Sequence, residues 1–275
     1  MFYKIKLLIL RILGYEKPLR VALFKYLSLK FKKFRPHYET VLYESCKVAK
    51  KLGHNDLCVL ELGVADGNGI LSLIKYKRII ENELNVKIKV YGFDLGSGLP
   101  EIKKKEDLPF FWKQGDYKSG GFKKLNSIKD VKIYQGDIKN TILDFANSNT
   151  SKIACIFFDL DLYSSTESFL SNINNLEKHL LPRTLCYFDD LYVADNCVDN
   201  TNGELLAIAE FNKQNSNFQL GKPVDHLNDF KFPLAKGQLY TLHNFKNEQY
   251  NQYIGIYSPE SLTGSNNKIR SLLDD

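Results

Sequence analysis

No two cysteines in this 275-residue chain stand at C-x-x-C spacing, and the five present (Cys46, Cys58, Cys155, Cys186, Cys197) are odd in number. Cys58, Cys155 and Cys186 fall inside apolar runs, where a free thiol behaves as a small hydrophobe, so a reducing cytoplasm is the expected setting. There is no internal repeat and no low-complexity tract, which excludes solenoids and biased disordered chains. No apolar run reaches the ~20 residues of a membrane span. The opening "MFYKIKLLILRILGYEK" is broken by Arg11 and has no small-residue cleavage site after it, so it does not fit a signal peptide. The body also lacks positive charge. Ten Lys or Arg and the single acid Glu16 fall within residues 1–35, a segment of +9 in a chain of +6, leaving −3 for everything else. Recognition of nucleic acid needs a basic face and is not expected.

What is present divides into a basic helical extension (1–50), a large domain (51–260) and a polar tail (261–275). The mix of Leu, Ile and Phe with Lys through Phe34 suits a helix packed on the domain or on a second subunit. The alternative is peripheral contact with anionic lipid at the inner face of a membrane. From residue 57 onward, short apolar runs alternate with segments of helical periodicity. The strand-like runs are "LCVLELG" (57–63), "KIKVYGFD" (87–94), "VKIYQGD" (131–137), "KIACIFFDLD" (152–161), "TLCYFDD" (184–190) and "QLYTLHNF" (238–245). Helices are expected over 68–84, from about Ser164 and over 203–214, the second opened by a Ser164-x-x-Glu167 capping box. This alternation predicts an α/β fold: a Rossmann-like, doubly wound, mostly parallel seven-stranded sheet with helices on both faces.

In such sheets ligands bind beyond the carboxyl ends of the strands. Glu61, Asp94, Asp137, Asp159, Asp161, Asp189 and Asp190 all fall at or just past those ends, and seven acids on one rim indicate a site. In "ELGVADGNG" the small residues Gly63, Ala65 and Gly67 permit a tight turn and close backbone approach to a ligand, although the spacing is not G-x-G-x-x-G. Glu61 before that loop would repel a pyrophosphate and suit a cationic amino group. Asp94 is placed for ribose hydroxyls and Asp137 for a base edge. Together they describe a pocket for an adenosyl group carrying an amino acid. The long connection 95–129, with Phe110, Phe111, Trp112 and Tyr117, reads as a lid forming part of the acceptor pocket. Its seven lysines (Lys103, Lys104, Lys105, Lys113, Lys118, Lys123, Lys124) suit either an acidic acceptor or a solvated face.

In order and chemistry, "VLELGVADGNG", "YGFDLGSGLP", "YQGDIKNTI", "FFDLDLYSST" and "LCYFDDLY" resemble the macrocin O-methyltransferase-like family of class I S-adenosylmethionine-dependent methyltransferases. The resemblance spans roughly residues 57–245, and D-x-D-x-Y-x-S-T followed by D-D is its most specific part. Ala65 replaces the middle glycine of the first motif, and Gly96 stands where many relatives carry an aromatic. The resemblance implies S-adenosylmethionine as cofactor and a divalent cation, usually Mg²⁺, held by Asp159, Asp189 and Asp190. Such a metal would orient two substrate oxygens and lower the pKa of the one attacked. Asp161, two residues beyond Asp159 and on the same side in strand geometry, is then free to act as general base. Related catechol-type enzymes use a lysine at the position of Leu162, so a lysine base is not expected here. His226 and His243 are alternative bases. The expected reaction is O-methylation of a hydroxyl on a sugar, polyol or related small molecule. Two other readings stay open, a nicotinamide-dependent oxidoreductase and a non-catalytic binding module that keeps the fold.

Overall fold

Seven strands form one sheet in the order β3-β2-β1-β4-β5-β7-β6. They are β1 (Asp56–Leu62), β2 (Lys87–Asp94), β3 (Val131–Gln135), β4 (Lys152–Phe158), β5 (Leu180–Phe188), β6 (Phe218–Gly221) and β7 (Leu239–Asn244). β1 to β5 run parallel, and β7 is antiparallel to both β5 and β6. This is the doubly wound Rossmann-like sheet expected from the sequence. The computed structural model describes residues 35–192, 198–223 and 237–255. The basic segment through residue 34, Cys197, His226 and the tail from residue 261 lie outside the described residues. No helix among those described is long and apolar enough to cross a membrane.

The continuous apolar character of the central strands follows from burial on both faces. In β4, Phe157 faces one core with Val59, Val90 and Tyr187, whereas Ile156 and Phe158 face the other with Leu60 and Phe93. Helices α1 (Pro36–Lys51) and α2 (Asn68–Leu84) cover the first face. A short α3 (Lys123–Asn126) leads into β3, and α4 (Ile138–Ser148), α5 (Tyr163–Leu170) and α6 (Gly203–Gln214) cover the second face through Phe145, Phe169 and Phe211. α1 lies in the stretch 1–50 that the sequence sets apart, yet its inner side belongs to this core. Pro36 opens it, Lys50 and Lys51 close it, and Tyr38, Val41, Leu42, Cys46 and Ala49 are fully buried. Val41 and Leu42 contribute about 1.5–3 kcal/mol each by burial, enough to make α1 integral to the domain.

Strand β5 begins four residues earlier than the sequence pattern indicated and contains Pro182. The ladder to β4 jumps there from Leu180 to Leu185, so the proline sits in an irregularity where no ladder bond is required. The four described cysteines are all buried and free.

The segment between β2 and β3 has a small core of its own. Leu99, Leu108 and Trp112 close on Leu162, while the Leu99 N–H donates to the Asp116 carbonyl (2.8 Å) and the Gly115 N–H to the Leu99 carbonyl (2.9 Å). The segment also replaces the expected capping box. Leu162 is the N-cap of α5 and makes no side-chain cap bond; Glu167 instead accepts from Ser171 Oγ (2.9 Å). The cap comes from the lid: buried Asp107 accepts from the Ser164 N–H (2.7 Å) and from Ser164 Oγ (3.0 Å).

Candidate active site

Strand order reverses between β1 and β4, because β1 leads to β2 and β3 on one side and is flanked by β4 and β5 on the other. A crevice at the carboxyl ends of the strands is the geometric consequence. A cavity of about 600 Å³ occupies it, lined by Gly63, Ala65, Asp94 and Asp137 at one end and by Asp159, Asp161, Asp189 and Asp190 at the other. That volume falls within the ~300–1,000 Å³ of small-molecule sites.

At the glycine end, Gly63 has φ +88°, and a Cβ there would collide with the Asp159 carbonyl oxygen. The turn out of β1 is therefore closed to any larger residue. Asp94 braces the same turn. Its Oδ2 accepts from the Val64 and Ala65 N–H groups (2.9 Å each), and its Oδ1 from the Gly96 N–H (2.6 Å). A carboxylate offers about four acceptor positions, so Asp94 keeps about one for a ligand hydroxyl. Asp137 caps α4 by accepting from the Lys139 N–H through Oδ1 (2.9 Å) and is otherwise exposed.

At the other end, one oxygen each from Asp159, Asp189 and Asp190 lies within 4.8 Å of the others. The Asp161 N–H donates to Asp190 Oδ2 (3.2 Å), and the Asp190 N–H donates to Glu204 Oε2 (3.3 Å). Tyr187 donates to Asp189 Oδ1 (2.8 Å). Arg35, at the head of α1, reaches in with Nη1 2.8 Å from Asp159 Oδ2 and 3.8 Å from Asp189 Oδ2. The same nitrogen donates to the Tyr38 hydroxyl (2.7 Å), which donates to Glu61 Oε1 (3.2 Å).

The electrostatics are those of crowded acids. Burial pushes Asp161 up to about 8, with repulsion from Asp159 and Asp189 adding to it. Asp159 is held at about 7 by burial although Arg35 pulls it down. Burial first, then mutual repulsion, raises Asp190 and Glu204 well above the carboxylate range. Buried Glu61 Oε2 and Glu204 Oε1 have no hydrogen-bond partner among the described residues. Arg35 is the only cation pairing with the Asp159 and Asp189 carboxylates among the described residues. A cluster of three carboxylates this close, under-neutralised, has the donor chemistry of a hard-cation site.

Backbone strain gathers at the same place. Of seven non-glycine residues with positive φ among those described, Arg35, Ala65, Tyr117 and Asp161 line this cavity. Such conformations persist where the surroundings over-determine them, and they concentrate at functional sites.

Eight of the ten site residues expected from the sequence thus share one cavity; Glu61 and Gly67 do not line it. Glu61 is 1% exposed and lies beneath the first turn of α2, where a Cβ on Gly69 would collide with its Oε1. Its carboxylate is enclosed by the protein rather than open to the cavity, and burial holds it at about 8. Gly67 faces Leu125. Asp161 is near Asp159, but not by strand alternation: β4 ends at Phe158 and Asp161 has φ 62°. Of the four lid aromatics only Tyr117 lines the cavity; Trp112 is buried in the lid core, and Phe110 and Phe111 are exposed. None of the seven lid lysines lines it, whereas Lys139 does. His243 is engaged away from it, its Nδ1 2.8 Å from the Tyr250 hydroxyl. Arg35 lines the cavity without having been singled out, and Asp107 and Glu204 support it from behind by accepting from the Ser164 and Asp190 N–H groups. The signal for Arg35 was present in Arg35-Pro36 at a helix start, but it was submerged in a run of basic residues.

No family model matches the chain, and no curated protein matches it. Among solved structures it is similar to CalS11, a calicheamicin methyltransferase, at 20% identity over 78% of this chain and 82% of that one (TM-score 0.49). It is also similar to an O-methyltransferase from Bacillus cereus in complex with SAH, at 13% identity over 81% and 97% (TM-score 0.41). A third similarity is to the SAH-bound Podospora anserina methyltransferase PaMTH1, at 14% identity over 73% and 76% (TM-score 0.40). The likenesses are distant, and function is read from this chain's own side chains.

Proposed function

We propose that this protein is an S-adenosylmethionine-dependent O-methyltransferase acting on a hydroxyl of a sugar, polyol or related small molecule, with a divalent cation such as Mg²⁺ at its acidic centre. The observation that carries the reading is the single switch-point cavity, which joins a strained glycine turn braced by Asp94 to a cluster of aspartates. The turn backbone of Gly63 to Ala65, the remaining acceptor position of Asp94 and exposed Asp137 suit an adenosyl amino acid. Asp159, Asp189 and Asp190 would hold the cation, which when bound supplies a Lewis acid that makes a neighbouring hydroxyl more acidic.

Asp161 accepts the acceptor's hydroxyl proton on a carboxylate oxygen. Held near neutrality by burial, it is matched to proton abstraction at physiological pH. The cavity walls contribute alignment, since O-methylation is an in-line displacement in which fixed geometry is worth about 7–11 kcal/mol. Tyr117, Ser164 and Ser165 line the same cavity, and their hydroxyl groups suit a polyhydroxylated acceptor. No observation favours the nicotinamide-dependent or non-catalytic readings. Calorimetric titration with S-adenosylhomocysteine, with and without Mg²⁺, tests the cofactor. A panel of sugars and polyols, analysed by mass for an added methyl group, tests the reaction. Saturable binding and a methylated product are expected; a folded protein that gives no heat at any concentration would sink the reading.

A further inference from the structure

We propose that Arg35 and a divalent cation are alternative occupants of the Asp159–Asp189 carboxylate pair, so that cation binding expels the guanidinium and loosens the head of α1. The inference rests on the reading of these aspartates as a cation site, and it concerns how that site is kept when no cation is there.

Arg35 Nη1 lies 2.8 Å from Asp159 and 3.8 Å from Asp189, the two carboxylates that with Asp190 form the closely spaced triad. The guanidinium therefore stands on two of the three carboxylates a cation would claim. Arginine cannot make room by losing its proton, so relief of the repulsion requires movement. The residue is also poised to move. Its backbone is left-handed (φ 44°, ψ 61°), it makes no side-chain cap bond to α1, and it is held by the ion pair, by its bond to the Tyr38 hydroxyl and by packing over the Tyr38 ring at 5.1 Å. Strain of this kind survives only while neighbouring contacts enforce it. If the carboxylates are lost to a metal, only the Tyr38 contacts remain among the described residues. The Tyr38 N–H donates to the Arg35 carbonyl (2.9 Å), so the first turn of α1 reports on Arg35 directly. Tyr38 also bonds Glu61, which underlies the first turn of α2. Displacing Arg35 would therefore be felt at the glycine turn as well as at the aspartates, and any coupling between the two ends of the cavity must be reciprocal.

The test is a Mn²⁺ titration of the full chain, followed by the paramagnetic signal of free Mn²⁺, for the wild type, Arg35→Met and Arg35→Lys. Arg35→Met is expected to bind at least tenfold more tightly than the wild type, and Arg35→Lys to stay near the wild type because the charge is kept. Equal or weaker binding by a folded Arg35→Met would mean that Arg35 supports the ligands rather than competing for them, and the proposal would fail. No Mn²⁺ binding by wild type or Arg35→Met, with S-adenosylhomocysteine still bound, would remove the cation reading itself and this proposal with it. A second readout needs no variant: saturating Mn²⁺ should speed amide exchange in the first turn of α1 of the wild type. Unchanged exchange under saturation would overturn the proposal independently.

Discussion

Replacing Asp107 with alanine removes the cap that the lid places on α5. The carboxylate is 2% exposed and accepts from both the Ser164 N–H and its hydroxyl, at 2.7 and 3.0 Å. Loss of an N-cap costs about 1–2 kcal/mol, and loss of the hydroxyl bond adds ~1 kcal/mol. The expected total of about 2–3 kcal/mol corresponds to a melting temperature lower by roughly 4–12 °C in a domain of this size. Leu99, Leu108, Trp112 and Leu162 still pack together, so the lid should loosen rather than detach. Trp112 is the only tryptophan in the chain and is 7% exposed. Its emission therefore reports the lid alone, and a red shift should accompany the lower melting temperature. Ser164→Ala should cost only ~1 kcal/mol, and the double variant no more than Asp107→Ala alone, because the hydroxyl has lost its partner. Additive costs, or an Asp107→Ala protein within ~0.5 kcal/mol of wild type with unshifted emission, would refute the cap.

Glu61 and Asp161 are held at about 8 in the folded protein but ionise near 4 when unfolded. The folded state thus binds more protons between these values, and stability should fall as pH rises from about 5 to about 8. Urea midpoints across that range check the sign, and a rising midpoint contradicts it; Glu61→Gln should match wild type at the acid end and exceed it at the alkaline end. Gly69→Ala drives a Cβ into the buried Glu61 carboxylate and should destabilise by about 1–3 kcal/mol, whereas Gly120→Ala meets open space and should change stability by less than ~1 kcal/mol; equal melting temperatures for the two would overturn that packing. Asp161→Asn should slow methyl transfer by about 10²–10⁴-fold while leaving S-adenosylhomocysteine affinity intact, and an unchanged rate would remove it as the base.

The sheet was legible because double-sided burial writes itself as apolar runs, and the acids ending those runs are where the cavity lies. Legibility stopped wherever a partner is remote in sequence. Ser164-x-x-Glu167 has the letters of a capping box, but the cap arrives from Asp107, fifty-seven positions earlier. Strand periodicity carried past Phe158 put Asp161 beside Asp159 for a reason that does not apply, because the chain turns left-handed there. Glu61 was seen as a strand-end acid, but nothing local says that Tyr38 and Gly69 close over it. β6 was too short, at four residues, to register as a strand. Arg35 is the clearest case: a charge counted with its neighbours is in fact matched to two particular carboxylates.

The reversal of strand order that opens the cavity has a consequence for the chain as it is made. β1 sits in the middle of the finished sheet, but its partner β4 begins at Lys152, some ninety residues after β1 ends. During synthesis β1, β2 and β3 can pair first, leaving one edge of β1 unpaired on a strand buried from Leu57 to Leu62. An apolar, open strand edge is a template for joining another chain. α1 packs on β4 and β5 as well as on α2, so it too lacks much of its seat until then. A nascent chain or fragment stopped short of Lys152 should therefore aggregate, because the crossing that shapes the site is also the step that closes the open edge of β1.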